Sequence, residues 1–160
     1  VDDQSNLAFI TSDGQLLHFA ADLVRPQGRT GGGVAGIKLA KGASVIWFGA
    51  VHPDDDDVVT VAGSSGSLPG TEQGSAKVTA LSEYPTKGRG TGGVRCHRFL
   101  KGEDALLVAG IGAAPMMATA ASGSPVELPT EHSRRDGSGT PLAQPVVEIA
   151  GRLAAQPDQE

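Results

Sequence analysis

The sequence predicts an all-β protein made of propeller-like repeats, with about three four-stranded blades in the chain. Glycine accounts for 23 of the 160 residues and aromatic residues for only 4%, which is typical of short strands joined by turns. Apolar and β-branched runs are bounded by Gly, Pro, Ser and Asp, and no segment shows helical periodicity. A pattern of paired strands and a glycine-arginine loop also recurs along the chain, as in repeat architectures.

The first predicted repeat covers residues 7–57 and follows a lead-in of residues 1–6. It begins with LAFITSDGQLLHF, two apolar runs about a Ser-Asp-Gly turn, which predict a hairpin. The loop QGRTGGGV then starts at Gln27, and two strand-like runs follow it, VAGIKL and SVIWFGAV. These segments together predict the four strands of one blade.

The second predicted repeat, residues 58–113, has the same order of parts. Its first two strand-like segments are VVTVAGSSGS and AKVTALSEYP, and the polar stretch LPGTEQGS between them predicts a loop insertion. The loop KGRGTGGV starts at Lys87, and the runs VRCHRFL and ALLVAGI complete the repeat.

The third predicted repeat, residues 114–150, is the weakest. It contains PMMATAASGSPVELP, the loop SRRDGSGT from Ser133, and PLAQPVVEIA. Residues 151–160 are predicted to be a tail, and the final run AGRLAAQPDQE, which starts at Ala150, forms either a frayed turn of helix or simply that tail. Because one small sheet cannot bury both of its faces, neighbouring repeats must stack. Radial stacking gives a propeller, and linear stacking is the alternative.

The charge pattern favours a local basic surface over a basic protein. The net charge of −5 argues against a uniformly basic nucleic-acid binder but allows a basic stripe on one face. The basic residues gather in three groups: Arg25, Arg29, Lys38 and Lys41; Lys87, Arg89, Arg95, Arg98 and Lys101; Arg134 and Arg135. The acidic run from Asp54 to Asp57 is expected to be a solvated loop rather than a cation site.

Several classes of function are disfavoured by what the sequence lacks. Cys96 is the single cysteine, which rules out an internal disulfide and fits a reducing compartment, and no apolar run approaches the ~20 residues of a membrane span. GRGTGG, from Gly88, lacks the strand, helix and distant acid of a dinucleotide site. No P-loop, zinc-like Cys/His spacing or catalytic constellation is found. We therefore expect no catalytic residue, metal or cofactor. The chain begins without methionine, and we expect it to be part of something longer.

These repeats resemble the C-terminal domain of the A subunit of bacterial type IIA topoisomerases, DNA gyrase and topoisomerase IV. The segment FITSDGQLLHFAADLVRPQGRTGGGVAGIKL, from Phe9, looks very like one repeat of that domain, and the resemblance extends over residues 7–150. It implies a β-pinwheel, a propeller-like ring of about six blades whose rim bends and wraps DNA. It also implies that the strand-cutting tyrosine lies in another domain, so that Tyr84 has no catalytic role.

The segment from Gln27 to Gly33 is similar to the gyrase box of that family, Gln-Arg-Arg-Gly-Gly-Lys-Gly. It keeps the glutamine, one arginine and the glycines, but it lacks the second arginine and the lysine. Glycines allow backbone N–H groups to approach phosphate, and arginine offers it a planar fork. The expected DNA-binding residues are Arg25, Gln27, Gly28, Arg29, Lys38, Lys87, Arg89, Arg95, Arg98, Arg134 and Arg135.

The first functional hypothesis is a non-catalytic, sequence-independent DNA-binding and DNA-bending module. Its expected partners are double-stranded DNA, the remaining domains of the A subunit of a topoisomerase and, through those domains, the B subunit with the ATPase. Its expected location is the bacterial cytoplasm near the nucleoid, and no membrane partner is expected. The alternative is a propeller-type protein–protein interaction module, which the net charge of −5 and the degenerate box motivate. An enzyme with a site in a propeller channel ranks last, since no group of residues supports it.

Overall fold

The computed structural model describes residues 4–68, 71 and 73–151, and the predicted all-β class is confirmed. Three antiparallel sheets contain the strands of the described residues. The strands are β1 (Asn6–Thr11), β2 (Gln15–Ala20), β3 (Val45–Val51), β4 (Asp56–Gly63), β5 (Ser75–Ala80), β6 (Val94–Arg95), β7 (Ala105–Ala113), β8 (Met117–Thr119), β9 (Pro125–Val126), β10 (Thr140–Pro141) and β11 (Glu148–Ala150). Short 3-10 turns follow β2 at Ala21–Leu23 and β5 at Leu81–Glu83.

One edge strand of each four-stranded sheet, β6 or β10, comes from the following predicted repeat. The first sheet has the order β3-β1-β2-β6 and the second the order β10-β5-β4-β7. Leu16 of β2 therefore pairs with Val94, and Ala76 of β5 pairs with Thr140. Each of these sheets combines strands from two sequence repeats, and the repeat borders at 57/58 and 113/114 stay predictions.

The third sheet differs from the expected four strands. Its order is β11-β8-β9, so the described chain places three strands there. β9 occupies the place in the third sheet that β2 and β5 occupy in the other two, but it is an edge strand, whereas β2 pairs with β6 and β5 with β10. Pro125 of β9 has no amide hydrogen to donate to such a neighbour.

The strand prediction for VAGIKL, residues 34–39, is wrong. This segment is irregular, and Gly36 lies over the ring of Phe9, where an added Cβ would be 2.6 Å from Cζ of that ring. The segment therefore approaches an aromatic side chain at Gly36 without forming a ladder. In VRCHRFL, only Val94–Arg95 is strand. Parts of LPGTEQGS (69, 70 and 72) and the tail from residue 152 lie outside the described residues.

Two apolar clusters hold the sheets together. The first lies between the first and second sheets and includes Ile10, Leu16, Val58 and Leu106. The second lies between the second and third sheets: Val61, Ala76, Ala118, Ala120, Val126, Leu142 and Val146. Each sheet therefore buries a face against its neighbour, which is the stacking that the repeats require.

The acidic run is only half solvated, which corrects the expectation for Asp54 to Asp57. Asp54 and Asp55 are exposed, whereas Asp56 and Asp57 are buried at the start of β4. Asp56 Oδ2 accepts a hydrogen bond from the backbone N–H of His52 at 2.8 Å. Asp57 Oδ1 lies 2.9 Å from Nε2 of His132. Asp56 and Asp57 can be buried in the sheet because their carboxylate oxygens have these hydrogen-bond partners.

Candidate nucleic-acid interface

The three glycine-arginine loops lie side by side in what we name the loop row: residues 27–34, 87–94 and 133–140. The segment after the first loop bonds to the second, since Lys38 N–H donates to the Thr91 carbonyl at 2.9 Å. The segment after the second loop bonds to the third in the same way, since Arg98 N–H donates to the Gly137 carbonyl at 2.9 Å. The loops are therefore neighbours in space although about 50 residues separate them in sequence.

Arginine side chains make a second set of bonds between the loops. Nη1 of Arg89, in the second loop, donates to the Ala35 carbonyl at 2.7 Å. Nη1 of Arg135, in the third loop, donates to the Arg95 carbonyl at 3.3 Å. Both acceptors directly follow the preceding loop, so the two bonds occupy matching positions.

The second and third loops are also fixed to the sheets beneath them. Lys87 N–H donates to the His18 carbonyl at 3.2 Å, and Ser133 N–H donates to the Val78 carbonyl at 2.8 Å. Gly93 has a φ of +75°, and an added Cβ would collide with the backbone of Leu16. Glycine is required there because the loop turns directly against β2.

Gln27 shapes the first loop from within. Its Oε1 accepts a hydrogen bond from the Gly33 N–H at 2.9 Å, and the Gly31 N–H donates to the Gly28 carbonyl at 2.9 Å. The amide of Gln27 is thus already hydrogen-bonded inside the loop.

Most of the sequence-predicted cations face solvent on or beside the loop row. The exposed members are Arg25, Arg29, Lys38, Lys87, Arg89, Arg95, Arg98 and Arg134. Gly28 is exposed as well, and Arg135 is half-buried. Arg25 and Arg89, from different repeats, line one open depression together with Asp22 and Leu23. The fold therefore brings cations from three separated stretches of sequence onto neighbouring loops and the segments beside them.

A buried polar cluster under the second and third loops was missed by sequence reasoning. Lys77 is only 1% exposed, and its Nζ donates to Thr79 Oγ1 at 2.6 Å, Tyr84 Oη at 3.2 Å and the Cys96 carbonyl at 3.0 Å. Burial lowers the pKa of Lys77 to about 8. The only sequence signal is its position inside the strand-like run AKVTA, and the strand formed there has five consecutive buried residues, so side chains on both of its faces are buried.

Cys96 and His97 lie beside this cluster and do not act as a nucleophile–base pair. Burial raises the pKa of the Cys96 thiol to about 12, so the reactive thiolate is suppressed. Nδ1 of His97 is hydrogen-bonded with Thr60 Oγ1 at 2.9 Å, and burial lowers the pKa of His97 to about 4. Tyr84 is 3% exposed, and burial raises its phenol pKa. Tyr84 is therefore a core residue.

Within residues 4–68, 71 and 73–151, no group of three or more His, Cys, Asp and Glu side chains could hold a metal ion. The same residues contain no helix that is long and apolar enough to span a membrane.

Comparisons with known proteins give the family. The model of the DNA gyrase C-terminal domain, a beta-propeller, matches residues 5–52 and 70–107. The topoisomerase subunit TopoM of Mycolicibacterium smegmatis (strain ATCC 700084 / mc(2)155) is 45% identical over 107 residues, which are 66% of this chain and 14% of that protein. The DNA gyrase A subunit of Aeromonas salmonicida is 47% identical over 72 residues, 45% of this chain and 7% of that protein. The chain thus spans a small part of these relatives.

Solved structures show the same fold. The C-terminal domain of DNA topoisomerase IV superposes with a TM-score of 0.73 at 18% identity. The superposition covers 94% of this chain and 47% of the topoisomerase IV chain. The DNA gyrase A C-terminal domain superposes with a TM-score of 0.64 at 17% identity. The superposition covers 95% of this chain and 50% of the gyrase chain. The chain belongs to the family of the DNA gyrase C-terminal domain and corresponds to part of the β-pinwheel of gyrase and topoisomerase IV A subunits.

Proposed function

We propose that the chain is a non-catalytic module that binds duplex DNA along the loop row and bends it, without reading sequence. The observation that carries this proposal is the alignment of exposed cations from three repeats on neighbouring loops. Arginine and lysine contacts to phosphate hold a duplex in place but carry no sequence information. A protein with a net charge of −5 can bind this polyanion only through such a local surface.

We infer that the bound duplex is bent. Bending a duplex costs elastic energy, which contacts on successive loops can offset. Backbone hydrogen bonds hold the second and third loops to the sheets and join the segment after the first loop to the second, so binding requires little ordering of the protein. The box-like loop at Gln27 lacks two of the family's cations, and we infer bending rather than strong chiral wrapping.

By family membership, the module works inside a larger protein. We infer that it supports ATP-dependent changes of DNA topology by a type IIA topoisomerase. It would do so together with the remaining domains of the A subunit and, through those domains, with the B subunit that carries the ATPase. This work takes place in the bacterial cytoplasm. The chemistry of strand cutting belongs to other domains, since neither Tyr84 nor Cys96 is accessible for it.

The test is binding to a duplex of ~40 base pairs over a salt series. If about six cations touch phosphate, the logarithm of the affinity should fall with the logarithm of salt with a slope near −5. The double variant Arg29→Glu/Arg89→Glu should lose this binding. The matched control is Lys41→Glu/Lys101→Glu, which makes the same charge change at exposed lysines outside the three loops, in matching turns before β3 and β7.

Salt-dependent binding that only the arginine double variant loses supports the proposal. Equal losses in both double variants would show nonspecific attraction to charge and would contradict a binding role for the loop row. A folded chain that binds no DNA at low salt would favour the protein-interaction module instead.

A further inference from the structure

The arginines that match one another in the three loops do not have the same surroundings. Arg29, Arg89 and Arg135 are each the third residue of their loop. Arg89 and Arg135 donate to a backbone carbonyl that directly follows the preceding loop. The side chain of Arg29 makes no hydrogen bond to any residue that the structure describes. Among the described residues, two of the three arginines therefore join neighbouring loops and the third makes no such bond.

These bonds reinforce a junction that the backbone also forms. At the first junction, Arg89 bonds to Ala35, while Gly90 N–H donates to the Gly36 carbonyl at 2.7 Å and Lys38 N–H to the Thr91 carbonyl. At the second junction, Arg135 bonds to Arg95 while Arg98 N–H donates to the third loop. Each junction thus combines one guanidinium bond with at least one backbone bond.

The chemistry of arginine suits a bond of this kind. A guanidinium carries five N–H donors in a rigid plane, so one of them can be bonded to a carbonyl while the others stay available. Arg89 is exposed, which leaves its remaining donors in contact with solvent. The charge of Arg89 still adds to the loop row, but its side chain has a fixed position relative to the preceding loop.

We propose that Arg89 and Arg135 are positioning residues, which hold successive loops at a fixed spacing so that the row matches one bent duplex. Arg29 contributes its charge without this positioning role. The part of the inference that concerns bending rests on the proposed DNA binding, whereas the joining of the loops does not.

The joining role is tested without DNA, by amide hydrogen exchange measured with NMR. Arg89→Met keeps the length of the side chain but removes its donors, and it should raise exchange of the Lys38 and Gly90 amides about fivefold. Arg135→Met should do the same at Arg98. Arg29→Met is the matched control and should leave all three amides unchanged. Exchange at Ile10, in the core, reports whether the fold itself is weakened.

Faster exchange at the junction amides only in Arg89→Met and Arg135→Met supports the inference. Unchanged exchange in these variants, or equal changes in Arg29→Met, would overturn it. An increase that includes Ile10 to the same extent would also overturn it, since the effect would then be general loss of stability.

The bending role is tested with a duplex labelled at both ends, by resonance energy transfer at saturating protein. Arg89→Met and Arg29→Met each remove one positive charge. The salt dependence of DNA affinity should therefore become weaker by a similar amount in the two variants. We expect end-to-end transfer to fall only in Arg89→Met. Equal bending by the two variants would overturn the bending role. If the unaltered chain binds no DNA, the proposed function fails, while the exchange experiment still decides whether the arginine joins the loops.

Discussion

Nδ1 of His97 lies 2.9 Å from Oγ1 of Thr60, and this hydrogen bond joins the segment after β6 to β4 of the second sheet. Both side chains are buried between two sheets, and Nε2 of His97 has no hydrogen-bond partner among the described residues. A buried imidazole of this kind is stable only when neutral, since protonation would place an unpaired charge in the core. The contact therefore couples sheet packing to pH.

Stability should fall as the pH drops from 6.5 to 4 because of His97. Its pKa in the folded chain is about 4 against an ordinary 6.5, so the unfolded chain takes up the proton first and is favoured by acid. The loss of unfolding free energy should reach roughly 3 kcal/mol across this window. Urea unfolding at several pH values should show a shallower decline in His97→Gln than in the unaltered chain. The exposed His52→Gln variant is the control, and it should follow the unaltered chain.

Sequence patterns predicted the class of the fold and the three loops because both depend on local features. The turn at Gly14 and the glycine-arginine loops can be recognised from neighbouring residues alone. The pairing of β6 and β10 with strands of the preceding repeat could not be predicted, because it depends on contacts between segments that are far apart in the sequence. The bond from Arg89 to Ala35 is hidden for the same reason.

Two individual side chains show where residue-type expectations fail. Lysine and aspartate are almost never fully buried unless they are paired, yet Lys77 is buried, and so is Asp56, which was expected in a solvated loop. Each is buried because backbone or hydroxyl groups satisfy it: the Cys96 carbonyl accepts from Lys77, and the His52 N–H donates to Asp56. Such partners come from distant strands or from turn geometry, and composition does not reveal them.

Gly93→Ala should strongly destabilise the chain. Gly93 has a φ of +75°, which L side chains rarely adopt, and an added Cβ would also collide with the backbone of Leu16. Gly42 has a similar φ of +81° but nothing within 4 Å of an added Cβ. We expect a loss of about 1 to 2 kcal/mol for Gly42→Ala and clearly more, ~3 kcal/mol, for Gly93→Ala. Similar midpoints for both variants in thermal unfolding would contradict the close contact between the loop and β2.

Cys96 should react very slowly with thiol reagents in the folded chain. The side chain is fully buried, and burial raises its pKa to about 12, so neither access nor thiolate is available at neutral pH. Labelling with a chromogenic disulfide should therefore follow global or local unfolding, and it should become rapid in denaturant. Rapid labelling of the native chain would show that the segment after β6 opens readily, and that the junction under the second and third loops is weak.

Lys77 should make the chain more stable as the pH rises from 8 toward 10.5, opposite to the usual effect of alkali. Its pKa in the folded chain is about 8 against an ordinary 10.5, so the unfolded chain holds the proton over this window and stability increases with pH. Cys96 acts in the other direction above pH 9 because its raised pKa makes the unfolded chain ionise first.

The measurement is therefore the difference in unfolding free energy between the unaltered chain and Lys77→Met at pH 7 and pH 9. Methionine keeps the stem of the side chain but cannot titrate. The Lys77 charge lowers the pKa of Cys96, so its loss raises that pKa further, and up to pH 9 the folded thiol stays protonated in both proteins. We expect the unaltered chain to gain roughly 1 kcal/mol relative to the variant between the two pH values. A constant difference would mean that Lys77 keeps an ordinary pKa, and that the acceptors on Thr79, Tyr84 and Cys96 offset the effect of burial.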